Sequence, residues 1–166
     1  MKKLAALVGV LSLLVSSHAM AAFQTTSGTM ELGGAAAFSV GDSMQLTVAP
    51  TVGYFVMDNV EVMASFTLDM NLDAETTNIG FAAGGMYYID MDMFILKTGL
   101  AVGGFIPDGG DMMLSLAIPV QALFPMNDHV AIVTGVTVNL MDLTDALGGG
   151  MQIAAPIGYL GVQAHF

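Results

Sequence analysis

The stretch Val60-Glu61-Val62-Met63-Ala64-Ser65-Phe66-Thr67-Leu68-Asp69-Met70-Asn71-Leu72 alternates with a period of two. Val60, Val62, Ala64, Phe66, Leu68, Met70 and Leu72 fall on one side of an extended chain, and Glu61, Met63, Ser65, Thr67, Asp69 and Asn71 on the other. A helix would scatter both sets around its axis, so the segment is a strand with one wholly apolar face. The alternation recurs in both directions from here, over residues 29–38, 44–56, 78–89, 93–105, 112–124, 129–140 and 153–166. In the sixth of the eight segments, Met112, Leu114, Leu116, Ile118, Val120, Ala122 and Phe124 share the apolar phase. Every charged strand residue, namely Glu31, Glu61, Asp69 and Lys97, takes the opposite phase, and so do Gln45, Asn71, Asn78, Gln121, His129, Asn139, Gln163 and His165.

Which phase meets solvent separates two architectures. A soluble barrel or sandwich buries its apolar phase and covers the outside with Lys, Glu and Asp. Here the second phase is mostly Gly, Ala, Ser and Thr, and four charges cannot solubilise an eight-stranded exterior. Turning the barrel inside out resolves this, with Leu, Val, Met and Phe against lipid and small or polar groups in a confined lumen. The segments have the length required to cross a bilayer at a tilt, and closure pairs every backbone N–H and C=O within the hydrocarbon. The expectation is an all-β fold, an eight-stranded antiparallel up-and-down transmembrane β-barrel over residues 22–166. Helical spanning fails, because the apolar runs are broken by Pro50 and Gly53, by Pro119, Gln121 and Pro125, and by Gly148, Gly149, Gly150, Pro156 and Gly158.

Composition agrees. The chain has 166 residues, 55% of them apolar and 10% charged, with a mean hydropathy of +0.73, which is one domain and not a disordered chain. It has no cysteine, which excludes disulfide scaffolds and Cys-ligated zinc modules. A net charge of −11 offers nucleic acid no basic surface. At the N-terminus, Lys2 and Lys3 precede an apolar stretch from Leu4 to Val15 and then Ala19-Met20-Ala21, the order of a secretory signal peptide over residues 1–21. Cleavage there would take the charge from −11 to −13 and leave Lys97 as the one Lys or Arg.

Turns orient the barrel. Tyr54-Phe55 precedes Asp58-Asn59, Tyr87-Tyr88 precedes Asp90-Met91-Asp92 with Phe94 after it, and Phe124 precedes Pro125-Met126-Asn127-Asp128. These clusters recur at every second strand end, so a hairpin repeat gathers them on one rim with Phe166. Tyr54, Tyr87, Phe94, Phe124 and Phe166 are therefore the expected aromatic girdle, and the tight turns make that rim the periplasmic one. The opposite rim would carry residues 39–43, 73–77, 106–110 and 141–150, with Phe38, Phe81 and Phe105 as a sparser outer girdle.

The signal peptide, the eight alternating strands and the ending Tyr159-Leu160-Gly161-Val162-Gln163-Ala164-His165-Phe166 resemble the small eight-stranded outer-membrane barrel proteins of Gram-negative bacteria, the OmpA-, OmpX- and OmpW-like barrels. The resemblance covers the whole chain after the signal peptide and separates no functional subfamily. It implies insertion in the bacterial outer membrane among its lipid and lipopolysaccharide. It further implies recognition of the final strand and Phe166 by the barrel-assembly machinery, with periplasmic chaperones acting during biogenesis. The short outer loops depart from adhesin-like members.

Candidate chemistry is sparse. Some barrels of this kind modify lipid A with a Ser-His pair near the outer leaflet. Here His129 and His165 both fall at the opposite rim, and no G-x-S-x-G or H-E-x-x-H motif occurs, so no enzyme is expected and no cofactor. Asp69-Met70-Asn71-Leu72-Asp73 begins like a calcium loop, but Ala74 stands at the turn glycine and Gly80 at the twelfth position. In a strand Asp69, Asn71 and Asp73 point the same way, with Glu75 close by, a candidate weak divalent-cation site. Inward positions are rich in Gly and Ala, among them Gly33, Ala35, Ala49, Gly80, Ala82, Ala101, Ala117 and Ala155, which predicts an underfilled lumen. Lys97 should pair there with Glu31 or Glu61, since an unpaired buried charge is costly. The first functional reading is a structural barrel or a narrow, weakly cation-favouring pore. The alternative is a binding or transport barrel for small apolar molecules, motivated by Met63, Met86, Met113, Ile95, Ile153 and Ile157 on the inward phase.

Overall fold

The computed structural model describes residues 23–40, 44–141, 152–154 and 157–166. The expected signal peptide, most of the rim segments at 39–43 and 141–150, and Ala155 lie outside the described residues. The chain forms β1 (Met30–Val40), β2 (Met44–Met57), β3 (Val60–Asn71), β4 (Thr76–Asp90), β5 (Ile95–Ile106), β6 (Met113–Pro125), β7 (Val130–Met141), β8 (Gln152–Ala154) and β9 (Ile157–His165).

Consecutive strands from β1 to β7 pair antiparallel, and β1 pairs with β9, with Glu31 opposite His165 and Gly33 opposite Gln163, which closes the sheet. β7 runs beside both β8 and β9, with Asn139 opposite Ala154 and Val130 opposite Ala164. β8 and β9 are thus two pieces of one barrel strand, and the fold is a closed eight-stranded antiparallel barrel. The strand expected over 153–166 is split in this way, and β7 carries a register shift between Gly135 and Val136 beside it.

The tight turns are made by residues that tolerate left-handed backbone: Asn59 (φ 63°) joins β2 to β3, and Asp92 (φ 65°) lies between β4 and β5. The Asp92 bend delays β5 to Ile95, so the strand begins later than residue 93, and Phe94 sits in the bend.

Strand polarity follows the inside-out pattern. On the apolar phase Val62 is 52% exposed, Leu100 56% and Leu160 66%, while Glu61, Lys97 and Gln163 on the other phase are almost completely buried. Apolar side chains exposed in this way on β1 to β6 and on β9 are what a lipid-facing wall requires. Parity is kept from β1 through β7 and at the β9–β1 seam, but beyond the register shift Val136 stands opposite Ile157 and Leu140 opposite Ile153, both partners being of the outward phase, which overturns the inward phase read for Ile153 and Ile157. Two glycines in the lumen are spatial necessities. A Cβ on Gly53 would fall on the Glu61 carboxylate, and one on Gly99 would meet the Gly85 carbonyl of β4, where neighbouring strands approach closely around the tight curve.

The same parity sets right two aromatic expectations. Phe55 and Tyr88, read above as neighbours in rim clusters, both point inward and are fully buried. Phe105 also lines the lumen and is no part of an outer girdle, because it shares the phase of Lys97 and Ala101. Phe81 does face outward, lying across Gly104.

Candidate functional site

The lumen has two parts. Toward the tight-turn rim, inward positions of β1, β3 and β5 bring Glu31, Glu61 and Lys97 together. The Lys97 ammonium lies 2.8 Å from Glu31 Oε2 and 2.9 Å from Glu61 Oε2, so both expected partners are engaged at once. Tyr88, directly across from Lys97 on β4, holds its hydroxyl 2.6 Å from Glu31 Oε2 and 2.9 Å from Glu61 Oε2, sharing one proton between two acceptors. Gln163 on β9 donates from Nε2 to the same hydroxyl at 3.0 Å. The Lys97 ammonium also stands 5.1 Å from the Tyr88 ring centre. Three atoms of this cluster have no hydrogen-bond partner among the described residues: Glu61 Oε1, Gln163 Oε1 and His165 Nε2.

Aromatic rings close the cluster below. Phe55 lies 4.9 Å from Tyr88 and 5.2 Å from His165, centre to centre, and Phe23 lies 4.1 Å from His165. His165 Nδ1 contacts the Gln24 carbonyl, which can only accept, so Nδ1 carries the proton and Nε2 faces Glu31 at 3.6 Å. Residues 23–29 form a strap across this end. The Gln24 amide donates to the Asp128 carbonyl, the Asn59 amide to Thr25, the Gly28 amide to Phe55, and the Ser27 amide to the Asp58 carboxylate at 2.8 Å. The strap ties the β2–β3 turn to the β6–β7 turn. No periodic signal marked it, because it precedes the first strand, whereas Phe55 and Tyr88 were readable from parity alone.

Above the cluster the lumen opens into a cavity of about 870 Å³. Glu31, Lys97 and Gln163 form its floor; its wall is mostly Ala, Gly, Ser and Thr with Met63, Met86 and Phe105. The lumen is therefore underfilled, as its small residues implied, in this part alone.

The remaining expected residues are dispersed. Tyr54, Tyr87, Phe124 and Phe166 are exposed on the outer wall at the tight-turn rim, and Phe94 packs 6.0 Å from Phe124, so the girdle residues share one rim. At the far rim Asp69 accepts from Thr47 Oγ1 at 3.0 Å, Asn71 Oδ1 takes the Asp73 and Ala74 amides, and Asp73 takes the Met44 amide at 2.7 Å. These acceptors hold the turn, Glu75 is exposed in left-handed backbone, and among the described residues no three His, Asp or Glu side chains are grouped to hold a metal. His129 is exposed and gives Nδ1 to the His165 carbonyl at 3.1 Å.

No protein-family model and no curated protein matches the sequence. Solved structures do match in shape. The N-terminal β-barrel domain of Pseudomonas aeruginosa OprF aligns with a TM-score of 0.56 at 13% identity, over 84% of this chain and 98% of that one. Neisserial surface protein A aligns at 0.55 and 15% identity, over 83% and 95%. A transmembrane β-barrel designed de novo aligns at 0.50 and 12%, over 87% and 100%. At such identities the likeness is one of fold, and the fold is that of the eight-stranded barrels that cross membranes.

Proposed function

We propose that the protein is a non-enzymatic integral barrel of the bacterial outer membrane whose lumen works as a cup, closed at the periplasmic end and loaded from outside. One observation carries the reading: a cavity of about 870 Å³ ends on a floor of paired charges, beneath which Phe55, His165, Phe23 and the strap fill the cross-section. Cavities of this volume with mostly apolar walls and a few convergent polar groups are the usual form of small-molecule sites. The apolar outer wall, the girdle residues on one rim and the similarity in fold to a bacterial surface protein and to a designed transmembrane barrel support the location. An export signal over residues 1–21 and assembly through the terminal Phe166 belong to the same proposal.

The competing reading, a narrow passage favouring cations, draws on the acidic residues of the far rim, and it needs a path past Lys97. Planar-bilayer recording separates the two. The cup predicts no steady current from the unsubstituted protein; a stable single-channel conductance selective for cations would replace the cup with the pore.

A further inference from the structure

The chemistry of the cup's occupant follows from its floor and its shape, given the cup reading above. Along β1, Glu31 to Ala37 spans the cavity; at about 3.3 Å per residue and a tilt of about 40°, the shaft is roughly 15 Å deep. A cavity of about 870 Å³ then has a mean cross-section of about 60 Å², wide enough for a saturated ring or a folded alkyl chain. Above the floor the wall is Ala, Gly and Met with scattered hydroxyls, suited to an apolar body.

The floor selects the head. Lys97 is the sole Lys or Arg beyond Lys2 and Lys3, and both carboxylates of the cluster already hold its ammonium, so no free cation remains to receive an anion. Of the two carboxylates only Glu31 lines the cavity, and the Lys97 ammonium beside it offsets its charge, so the floor holds no net positive charge to attract an anion. Gln163, 97% buried and lining the cavity, keeps Oε1 without a partner, an acceptor awaiting a donor. Asp69 adds a second acidic group higher on the wall, and Asp73, Glu75, Asp108 and Asp111 add more at the far rim. We infer that the cup binds a compact apolar amine, its ammonium donating to Gln163 Oε1 and Glu31 on the floor and its hydrocarbon body filling the shaft between Ala35 and Met63.

Methionine supplies the reporters, since Met63 and Met86 line the cavity whereas Met57 is exposed at a turn. The protein, labelled at methionine methyls and held in nanodiscs of zwitterionic lipid, would be titrated with 1-aminoadamantane, 1-adamantanol and 1-adamantanecarboxylate, three heads on one cage. The amine is expected to shift Met63 and Met86 saturably, leave Met57 unmoved, and bind about tenfold more tightly than the alcohol, with the carboxylate weakest. Glu31→Gln should erase the preference of amine over alcohol. Should that variant fail to fold, Ala35→Phe, which fills the shaft and leaves the floor intact, must abolish binding of both; retained binding would overturn the placement. Equal affinity for amine and alcohol in the unsubstituted protein would overturn the head-group assignment and leave the cup standing. No shift at Met63 or Met86 with any of the three would overturn the cup as well.

Discussion

Below the level of Glu31 the lumen is packed with Phe55, Tyr88, Leu123 and His165 around paired charges, while above it Ala35, Ala37, Ala49, Gly80 and Ala82 line an open shaft. The same strands run through both parts and, apart from the register shift beside Gly135, the inward parity is kept, so the contrast lies in side-chain size along one face. The outward face shows no such division: it is apolar from rim to rim because lipid is the same solvent along its length. A barrel wall thus fixes one phase of the sequence and frees the other. The freed phase is where this chain differs from a plain membrane span, spending bulk and charge on a stopper and leaving the rest unfilled. Stability should therefore depend on substitutions below Glu31 and be nearly indifferent to those above it.

Lys97→Met is the severest test of that asymmetry. It leaves Glu31 and Glu61 facing each other in a dry site with no counter-charge, and breaking a buried pair in this way costs about 3–5 kcal/mol. Urea unfolding from lipid vesicles should show the loss. Adding Glu61→Gln to the same chain should recover part of it, since one carboxylate alone has Tyr88 and Gln163 beside it. A loss under about 1 kcal/mol would mean the cluster is wet, and the stopper would no longer be a stopper. Tyr88→Phe comes next. It keeps the ring against Phe55 but removes the hydroxyl that meets both carboxylates and accepts from Gln163, at an expected cost of about 1–3 kcal/mol by the same titration.

Much of this was legible in the chain itself. Period-two alternation from Val60 to Leu72 and its recurrences gave the strands and the lipid face, because parity in a strand is geometrically strict. It also brought Glu31, Glu61 and Lys97 into one lumen, though alternation carries no information about height, and the meeting of all three at one level depends on the stagger between strands. Tyr88 and Phe55 were open to the same reasoning; adjacency to Tyr87 and Tyr54 disguised them as girdle, when each pair in fact splits across the wall. Phe23 and its strap carried no periodic signal at all. Asp69 and Asn71 share a strand phase, but β3 ends at Asn71 and Asp73 falls in the turn, and both Asn71 and Asp73 bind backbone amides there, a demand that residue type alone does not reveal.

The smallest expected effect is the sharpest check on the upper part. Ala49 faces the shaft opposite Ala35 on β1 and lines the cavity. In a packed core, Ala49→Leu would force neighbouring side chains off their rotamers and cost about 1–3 kcal/mol. In an open shaft the larger side chain meets space, covers apolar wall and displaces water, so unfolding free energy should change by no more than about 0.5 kcal/mol in either direction. A loss of about 2 kcal/mol would show the upper lumen to be as tightly filled as the lower, and the contrast between them would collapse. A neutral result carries more weight here than a neutral surface mutation usually does. Ala49 is walled in by β1 and β3, and an inward residue of an eight-stranded barrel can accept three extra carbons without strain only where the lumen beside it is vacant.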